Sequence, residues 1–431
     1  MKRILLYLIF SALATATFAQ SSTTSFDVDG IKVIWKPTAK DIIHVTMYYR
    51  GGVSNYPASK AGIENLALAG AVECGTKKFN KDAFKDTEDA YGIATGGSSN
   101  YDFGNISMNC ISKYFGQGWD LFTEAVRNPI YDPKEFGFLK EKVLSGIKES
   151  AANPDNFIEE FTVKNAFEGT KYTTKPQGEE ETVTALTDRQ VKDYYFSTLL
   201  NKNRMFIVVV GKLAKEDLIN RVRKSFASIP AKPFSAPSIN PVAFTANATA
   251  VEERQLATNY ITGAFNSPSM ESKDYVPFKL AISLFSTRLF REIRTKRNLS
   301  YAPYAYSTNN KLALGIMYVS TTDPKASAEV MVDEVKRLKQ QGFVEGELQD
   351  AKSTFITNNY LKEESTSAIA SSLGNAEVLG SWKLADEMPD KVNKTTLKDL
   401  NNSLQYIKGI KWSYLGDKKL FEEALSVFTG K

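Results

Sequence analysis

SIPAKPFSAPSINP, residues 228–241, divides this chain into two parts of nearly equal length. Its four prolines come at intervals of three or four residues, a spacing that favours extended chain over helix, as in a semi-rigid linker. A single hydrophobic core stops growing at about 250–300 residues, and this chain has 431. We therefore predict an N-terminal domain over residues 20–228, a linker over residues 229–244 and a C-terminal domain over residues 245–431.

Both sides of the linker show the same order of elements. Before it, Thr187 and Gln190 form a capping box that starts a helix, and the apolar strand Met205–Val210 follows. After it, Thr396 starts a helix that leads to the strand Ile410–Leu415. The repeated order indicates an internal duplication. We predict an α+β fold of two homologous domains, each a mostly antiparallel sheet with helices packed on one face.

The chain contains a single histidine, His44. Imidazole is the usual zinc ligand and the usual general base near neutral pH, so this scarcity excludes any site that needs two histidines. A Ser-His-Asp or Cys-His arrangement could be built only on His44. The residue lies in an apolar, β-prone run, residues 41–49, and we interpret it as a strand histidine with a local partner.

The N-terminus has the pattern of a secretory signal peptide over residues 1–19. Lys2 and Arg3 precede an apolar core, residues 4–16, and Thr17-Phe18-Ala19 provides the small residues that signal peptidase reads. We expect cleavage after Ala19 and a periplasmic or secreted protein. No other segment approaches the ~20 apolar residues of a membrane span.

Charge gives little indication of a nucleic-acid partner. After removal of residues 1–19 the chain keeps 52 basic and 49 acidic residues, and the two signs alternate along most of it. Without a basic tract, we expect no nucleic-acid binding. The two cysteines, Cys74 and Cys110, fit one disulfide or two buried free thiols, and the sequence leaves both open.

Several short segments occur in an order and at spacings that can be compared with known protein families. They are GIENL at 62–66, GTKK at 75–78, GEEETVTALT at 178–187, VVVG at 208–211, RLFREIR at 288–294 and LSY at 299–301. In order and spacing they resemble the insulinase/pitrilysin family of zinc peptidases, which includes the mitochondrial processing peptidases and the respiratory-chain core proteins. The resemblance covers essentially the whole mature chain and implies the LuxS/processing-peptidase-like metallohydrolase fold.

The family's catalytic motif is H-x-x-E-H on a helix, with a glutamate of a later helix as third zinc ligand. Residues four apart share a helix face, so both imidazoles reach one Zn²⁺ while the glutamate between them activates water. The matching positions here are Asn65, Leu68 and Ala69, or Leu66, Ala69 and Gly70 if the register shifts by one, with Gly146 at the third ligand. The resemblance therefore implies a degenerate site, no bound metal and no activity of the chain on its own.

A second set of family residues is present. Active members carry an arginine and a tyrosine seven residues apart that bind the substrate peptide and the developing oxyanion, and Arg294 and Tyr301 have this spacing. A guanidinium offers donors to carbonyls, and a phenol can donate to a tetrahedral oxygen. Taken alone, these residues also fit a basic helix end followed by a structural aromatic. The resemblance implies a substrate-binding role.

Together these features imply a division of labour between two chains. We expect a catalytic partner subunit that carries H-x-x-E-H and zinc, a peptide substrate, and no cofactor on this chain. Ser283–Thr287 lacks the glycines of the mitochondrial substrate-recognition loop, which argues against presequence recognition. Two alternatives remain: a structural or peptide-binding protein with no role in proteolysis, and a stand-alone enzyme with another mechanism.

One further segment resembles a substrate site. Ser98–Tyr101, which follows Gly96 and Gly97, matches the region where active family members add the substrate as an extra strand at a sheet edge. An ordinary glycine-rich strand start explains the same residues equally well.

Overall fold

The computed structural model describes residues 23–430, so the predicted signal peptide, residues 1–19, lies outside the described chain. Its strands are β1 (Thr24–Val28), β2 (Ile31–Pro37), β3 (Ile42–Arg50), β4 (Ala94–Ser99), β5 (Phe103–Ile111), β6 (Met205–Gly211), β7 (Ala248–Glu253), β8 (Asn259–Asn266), β9 (Tyr304–Ser307), β10 (Leu314–Thr321) and β11 (Lys411–Gly416).

The helices are α1 (Ile63–Glu73), α2 (Lys81–Tyr91), α3 (Phe115–Arg127), α4 (Pro133–Ala152), α5 (Pro154–Ala166), α6 (Glu180–Ala185), α7 (Asp188–Tyr194), α8 (Lys215–Phe226), α9 (Tyr275–Leu289), α10 (Pro324–Gln341), α11 (Glu345–Glu363), α12 (Thr366–Leu379), α13 (Lys383–Asp386), α14 (Met388–Lys394), α15 (Leu397–Ser403) and α16 (Lys418–Thr429). Two π-helical turns, Tyr195–Leu199 and Phe290–Thr295, continue α7 and α9.

The strands form two sheets, one in each half of the chain. Their orders are β1-β2-β6-β3-β5-β4 and β7-β11-β8-β10-β9. The pairs β2–β6 and β7–β11 are parallel, and the other neighbouring strands pair antiparallel. Without β1 the two orders match strand for strand. The predicted α+β class with two mostly antiparallel sheets is confirmed, and the matching orders support the duplication.

Local sequence signals set several helix starts where the sequence predicts them. Thr187 and Gln190 form the expected capping box of α7, and Thr396 and Asp399 form one at α15. The Asp132 side chain accepts hydrogen bonds from two backbone N–H groups at the start of α4. These side chains satisfy N–H groups that have no partner inside a helix.

Alternation along β3 assigns its side chains to two faces of the first sheet. Val45, Met47 and Tyr49 point into the core of the N-terminal half, beneath α1 and α3. His44 and Tyr48 occupy the opposite face, as the period of two requires. The Nε2 atom of His44 lies 3.0 Å from the Thr46 hydroxyl, which confirms a strand histidine with a local partner. Burial lowers the pKa of His44 to about 4.

The second face of the first sheet is covered from the other half of the chain. Helix α12 packs Ile369 and Leu373 against β3 and β6. The approach is close at Gly374, where a Cβ would lie 2.1 Å from the Tyr48 ring. At the edge of this contact, Glu377 accepts hydrogen bonds from Lys32 and Arg50. The prediction of helices on one face holds within each half, but it misses this exchange.

The second sheet is covered in the same reciprocal way. Helix α5 of the N-terminal half lies across β8 and β11, with Ile158 buried against Leu415. The hydroxyls of Thr162 and Thr262 lie 2.5 Å apart, and Asn165 donates to the Trp412 carbonyl oxygen at 3.0 Å. Each half therefore packs one helix, α5 or α12, against the sheet of the other half, and apolar side chains of both halves are buried together at these contacts.

The predicted linker, residues 229–244, lies within a stretch without helix or strand, residues 227–247. The Arg204 guanidinium lies 4.1 Å from the Phe234 ring centroid, and the Phe244 N–H donates to Asn266 at 2.8 Å. The stretch thus contacts both halves. No helix within residues 23–430 is long and apolar enough to cross a bilayer.

Both cysteines are free and buried, so of the two states that the sequence leaves open the structure shows thiols. Burial raises the pKa of Cys74 to about 12 and that of Cys110 to about 11. Neither thiol is a reactive thiolate at neutral pH.

Candidate functional site

The four positions that match the family's three zinc ligands and its catalytic glutamate lie on α1 and α4. Helix α1 packs on the edge strand β4 so closely that a Cβ on Gly97 would lie 2.0 Å from the Leu68 carbonyl oxygen. The Leu68 side chain is fully buried and contacts the backbone at Gly104, and Ala69 is also buried. An apolar helix face has therefore become core at two of the four positions.

The other two positions face one cavity. Asn65 and Gly146 both line a cavity of about 480 Å³ between α1, α4 and α5. Glu160 and Lys175 also line it and pair at 2.6 Å. Of the four matching positions only Asn65 offers a polar side chain. Within residues 23–430 no group of three or more His, Cys, Asp or Glu side chains could hold a metal ion, so these residues do not fit a zinc site.

A buried carboxyl lies one residue before the degenerate motif. Glu64 is fully buried, and it accepts hydrogen bonds from Asn55 at 2.9 Å and from the Tyr194 hydroxyl at 2.6 Å. Burial raises the pKa of Glu64 to about 7, against the opposing effect of these hydrogen bonds and of Arg204. The sequence alone does not assign this group a role, although an acidic residue within the largely apolar residues 61–72 is a visible signal.

Strand β4 occupies an edge of the first sheet, next to α1. In the segment proposed for strand addition, the Ser99 hydroxyl donates to the Pro176 carbonyl oxygen at 3.1 Å, and Tyr101 stacks on Tyr172 at 4.9 Å. Ser99 and Tyr101 therefore have structural contacts. Gly97 and Ser98 remain on the edge.

The structure brings Arg294 and Tyr301 together. Arg294 lies in the π-helical turn that continues α9, and Asn298, with a φ of 53°, turns the chain back. Arg294 Nη1 donates to the Tyr301 carbonyl oxygen, and its Cζ atom lies 4.0 Å from the Tyr301 ring centroid and 5.2 Å from that of Phe290. The Tyr301 side chain is 79% exposed. The sequence predicts the seven-residue spacing, whereas the turn that joins the two residues emerges only in the structure.

The neighbouring basic residues have a different role. Glu292 is buried and accepts hydrogen bonds from Lys296 at 2.8 Å and Arg297 at 2.9 Å. Burial opposes its ionisation, but these cations outweigh burial and hold the pKa of Glu292 at about 2. By contrast, no carboxylate within residues 23–430 lies within 4 Å of the Arg294 guanidinium. Its charge is therefore available to a ligand.

The chemistry of this pair is that of a donor site. A guanidinium offers five N–H donors, and an exposed phenol can donate one hydrogen bond. Such donors bind peptide carbonyls and stabilise a tetrahedral oxyanion. The pair contains no nucleophile, and the degenerate positions on α1 and α4 supply no ligand set. These residues therefore supply hydrogen-bond donors and no group that could cleave a peptide bond.

Comparison with known proteins gives this geometry a context. Residues 185–355 match the family model described as Peptidase M16 inactive domain. The non-peptidase homolog YmxG of Helicobacter pylori is 19% identical over 371 residues, 84% of this chain and 85% of that protein. Mitochondrial cytochrome b-c1 complex subunit 1 of Mus musculus is 21% identical over 279 residues, 62% of this chain and 57% of that protein.

Solved structures show the same fold. The peptidase M16 inactive domain from Pseudomonas fluorescens matches with a TM-score of 0.83 at 17% identity, covering 92% of this chain and 98% of that chain. The periplasmic protease PqqL from Escherichia coli matches with a TM-score of 0.75 at 14% identity, covering 92% of this chain and 46% of that chain. The resemblance to the insulinase/pitrilysin family, M16, is confirmed. An inactive-domain match and a non-peptidase relative also support the expectation that this chain is not a peptidase on its own.

Proposed function

We propose that this chain, whose residues 185–355 match the peptidase M16 inactive domain, is the non-catalytic, substrate-binding subunit of a heterodimeric zinc endopeptidase. A partner chain with H-x-x-E-H holds the zinc ion, and this chain supplies Arg294 and Tyr301. The observation that carries the proposal is this pair: an exposed tyrosine beneath a guanidinium that has no carboxylate partner in the described chain.

The two side chains have separate tasks. The Arg294 guanidinium holds a substrate carbonyl, which keeps the peptide in an extended path past Tyr301. The Tyr301 hydroxyl donates to the oxygen that gains charge when the peptide bond is attacked. Because the two groups already contact each other, little reorganisation is needed when charge develops.

The match to PqqL and the pattern at residues 1–19 fit a paired arrangement of exported chains. This chain matches 46% of PqqL, which is named a periplasmic protease, so it corresponds to about half of that longer chain. In our proposal the partner supplies the other half. The signal-peptide pattern of residues 1–19 supports a periplasmic or secreted complex.

A reconstitution experiment tests the proposal. The purified chain, an H-x-x-E-H partner and their mixture are assayed with quenched fluorogenic peptides, and zinc is measured by mass spectrometry. We expect cleavage by the mixture well above that of either chain, with zinc on the partner alone. Cleavage by the partner that does not rise on mixing, or zinc bound to this chain, would overturn the proposal.

The match to cytochrome b-c1 complex subunit 1 favours a second candidate: a structural or peptide-binding subunit with no role in proteolysis. It predicts that the mixture gains no peptidase activity although the chain still assembles with other subunits or binds peptides. The reconstitution assay and a direct peptide-binding measurement separate the two candidates.

A further inference from the structure

A second cavity, of about 590 Å³, lies between α9 and the edge strand β9 of the second sheet. One face of α9 and its π-helical continuation lines it: Lys279, Ile282, Ser283, Ser286, Thr287 and Phe290. These residues recur at the helical spacing of three and four, so they form a continuous stripe along one side of a groove. The opposite side is β9 together with the residue before it, Pro303. We call this feature the α9–β9 groove.

One end of the α9–β9 groove reaches the Arg294–Tyr301 pair. Phe290 lines the groove, and its ring centroid lies 5.2 Å from the Arg294 guanidinium carbon. Lys279 lies eleven residues earlier on the same continuous helix. At about 1.5 Å per residue that separation is roughly 16 Å, the length of about five residues of extended peptide.

Lys279 brings a positive charge that its surroundings do not neutralise. Its Nζ atom donates to the Tyr275 hydroxyl at 3.1 Å and to the Asn309 side-chain oxygen at 3.0 Å. Both partners are neutral, and within residues 23–430 no carboxylate lies within 4 Å of it. Burial lowers the pKa of Lys279 to about 8. An ammonium has three donors, so one remains for a ligand, and an anionic ligand would supply the missing counter-charge.

Strand β9 restricts how a peptide can lie in the groove. The Ala305 N–H already donates to the Ser286 hydroxyl at 2.9 Å, and Pro303 has no N–H to offer. The edge is thus poorly suited to strand addition. Lys279 lies at one end of the groove, so an extended peptide along the groove places its terminal backbone group at Lys279. The peptide's side chains project away from the chain axis. This geometry favours a terminal carboxylate over an acidic side chain.

We propose that the α9–β9 groove binds the C-terminal carboxylate of a peptide on Lys279 while Arg294 and Tyr301 hold the residue about five positions earlier. The inference rests on the peptide-binding role of the Arg294–Tyr301 pair proposed above. It adds a specificity: peptides that end about five residues beyond the pair bind best.

The test is fluorescence anisotropy on the purified chain with labelled peptides of one sequence and four to eight residues, each with a free or an amidated C-terminus. A charge-assisted hydrogen bond predicts that the free acid binds about tenfold or more tightly than the amide, with an optimum length near five or six residues. K279Q is expected to abolish this difference, and K212Q, at an exposed lysine of the N-terminal half, to keep it. Equal binding of acid and amide to the unmodified chain would overturn the proposal.

Two further arms separate other outcomes. Amidated peptides with an internal glutamate test the side-chain alternative, and if they bind as tightly as the free acid and depend on Lys279, the terminal assignment is wrong. R294A is expected to weaken the binding of the free acid and of the amide by the same factor, so the ratio of their Kd values stays unchanged. If the unmodified chain prefers the free acid but the reconstitution assay shows no cleavage, the endopeptidase proposal is wrong while the proposal for the α9–β9 groove stands.

The pH dependence provides a measurement that needs no variant. The other titratable groups at the groove, Tyr275, Tyr304 and Tyr306, have pKa values raised by burial, so they stay neutral between pH 7 and pH 9. Lys279 loses its charge as the pH rises through about 8. The preference for the free acid should therefore fall across this range while binding of the amide stays constant. A preference that does not change up to pH 9.5 would contradict the role of Lys279.

Discussion

The guanidinium carbon of Arg294 lies 4.0 Å from the centroid of the Tyr301 ring, and Arg294 Nη1 donates to the carbonyl oxygen of the same residue. These two contacts hold the side chain of Arg294 against an exposed ring. Side-chain ordering is a cost of binding, and a pair that is already ordered avoids part of it. If the pair binds a peptide as proposed, it is thus already arranged before binding.

Removing either donor should impair cleavage by the reconstituted complex. We expect R294A and Y301F each to lower kcat/KM by about 10²-fold, the usual loss for one oxyanion donor. R294A also removes the support of the Tyr301 ring, whereas Y301F removes only the hydroxyl. The measurement is peptide cleavage by the partner chain mixed with each variant.

Matched substitutions at exposed residues control for surface changes. R189A on α7 and Y360F on α11 alter side chains of the same types at solvent-exposed positions away from the pair. Both should leave cleavage unchanged. Equal cleavage by R294A, Y301F and these controls would remove the role assigned to the pair.

The contact between Gly374 and Tyr48 predicts a stability effect. A Cβ at Gly374 would lie 2.1 Å from the ring, so G374A must push α12 away from the first sheet. Overpacking of this kind costs about 1–3 kcal/mol. At Gly146, in the interior of α4, a Cβ meets nothing within 4 Å, and G146A should gain about 0.5–1 kcal/mol from helix propensity. Urea unfolding followed by circular dichroism compares the two, and equal effects would show that α12 does not approach so closely.

Local signals explain which parts of the fold the sequence predicted. Capping side chains such as Thr187 and Thr396 act within one helical turn, so the sequence predicts the helix starts at these residues, and the structure confirms them. The exchange of α5 and α12 between the halves was not readable. Gly374 in the sequence is only a weak helix former, and its partner Tyr48 lies far away along the chain. No local sequence pattern predicts the contact between Gly374 and Tyr48.

The same distinction applies to the site. The spacing of Arg294 and Tyr301 is local, but the sequence assigns them a role only through the resemblance to the family, and the degenerate zinc-site positions are identified in the same way. Glu64 and Lys279 were missed because their significance comes from burial, which depends on segments distant in sequence. A charged residue in an apolar run was the available signal at Glu64.

Putting the family's motif residues back at the degenerate positions on α1 should change the stability of the chain by different amounts at Leu68 and Asn65. L68E places a carboxyl in a fully buried space beside Gly104, and we expect it to destabilise the chain by about 3 kcal/mol or more. N65H places an imidazole in the cavity that Asn65 already lines, and its effect should stay within about 1 kcal/mol. Urea unfolding measures both. An L68E variant as stable as N65H would mean that the motif positions have not become core.

Glu64 predicts a pH-dependent stability that one substitution isolates. The pKa of this carboxyl rises from 4.5 to about 7 on folding, because burial opposes its charge more strongly than Asn55 and Tyr194 favour it. The folded chain therefore keeps a proton that the unfolded chain releases, and stability falls as the pH rises from about 4.5 to about 7.

Glutamine has nearly the same shape and cannot ionise, so E64Q escapes this loss. Relative to the unmodified chain it should gain about 3 kcal/mol between pH 4.5 and pH 7.5, since each pKa unit corresponds to about 1.4 kcal/mol. Urea unfolding of both proteins at several pH values gives the difference. E181Q, at an exposed position of α6, serves as control and should show no such trend. A difference between E64Q and the unmodified chain that stays constant over this range would mean that Glu64 ionises as readily in the folded protein as in the unfolded chain, and that its burial is relieved by water or by motion of α1.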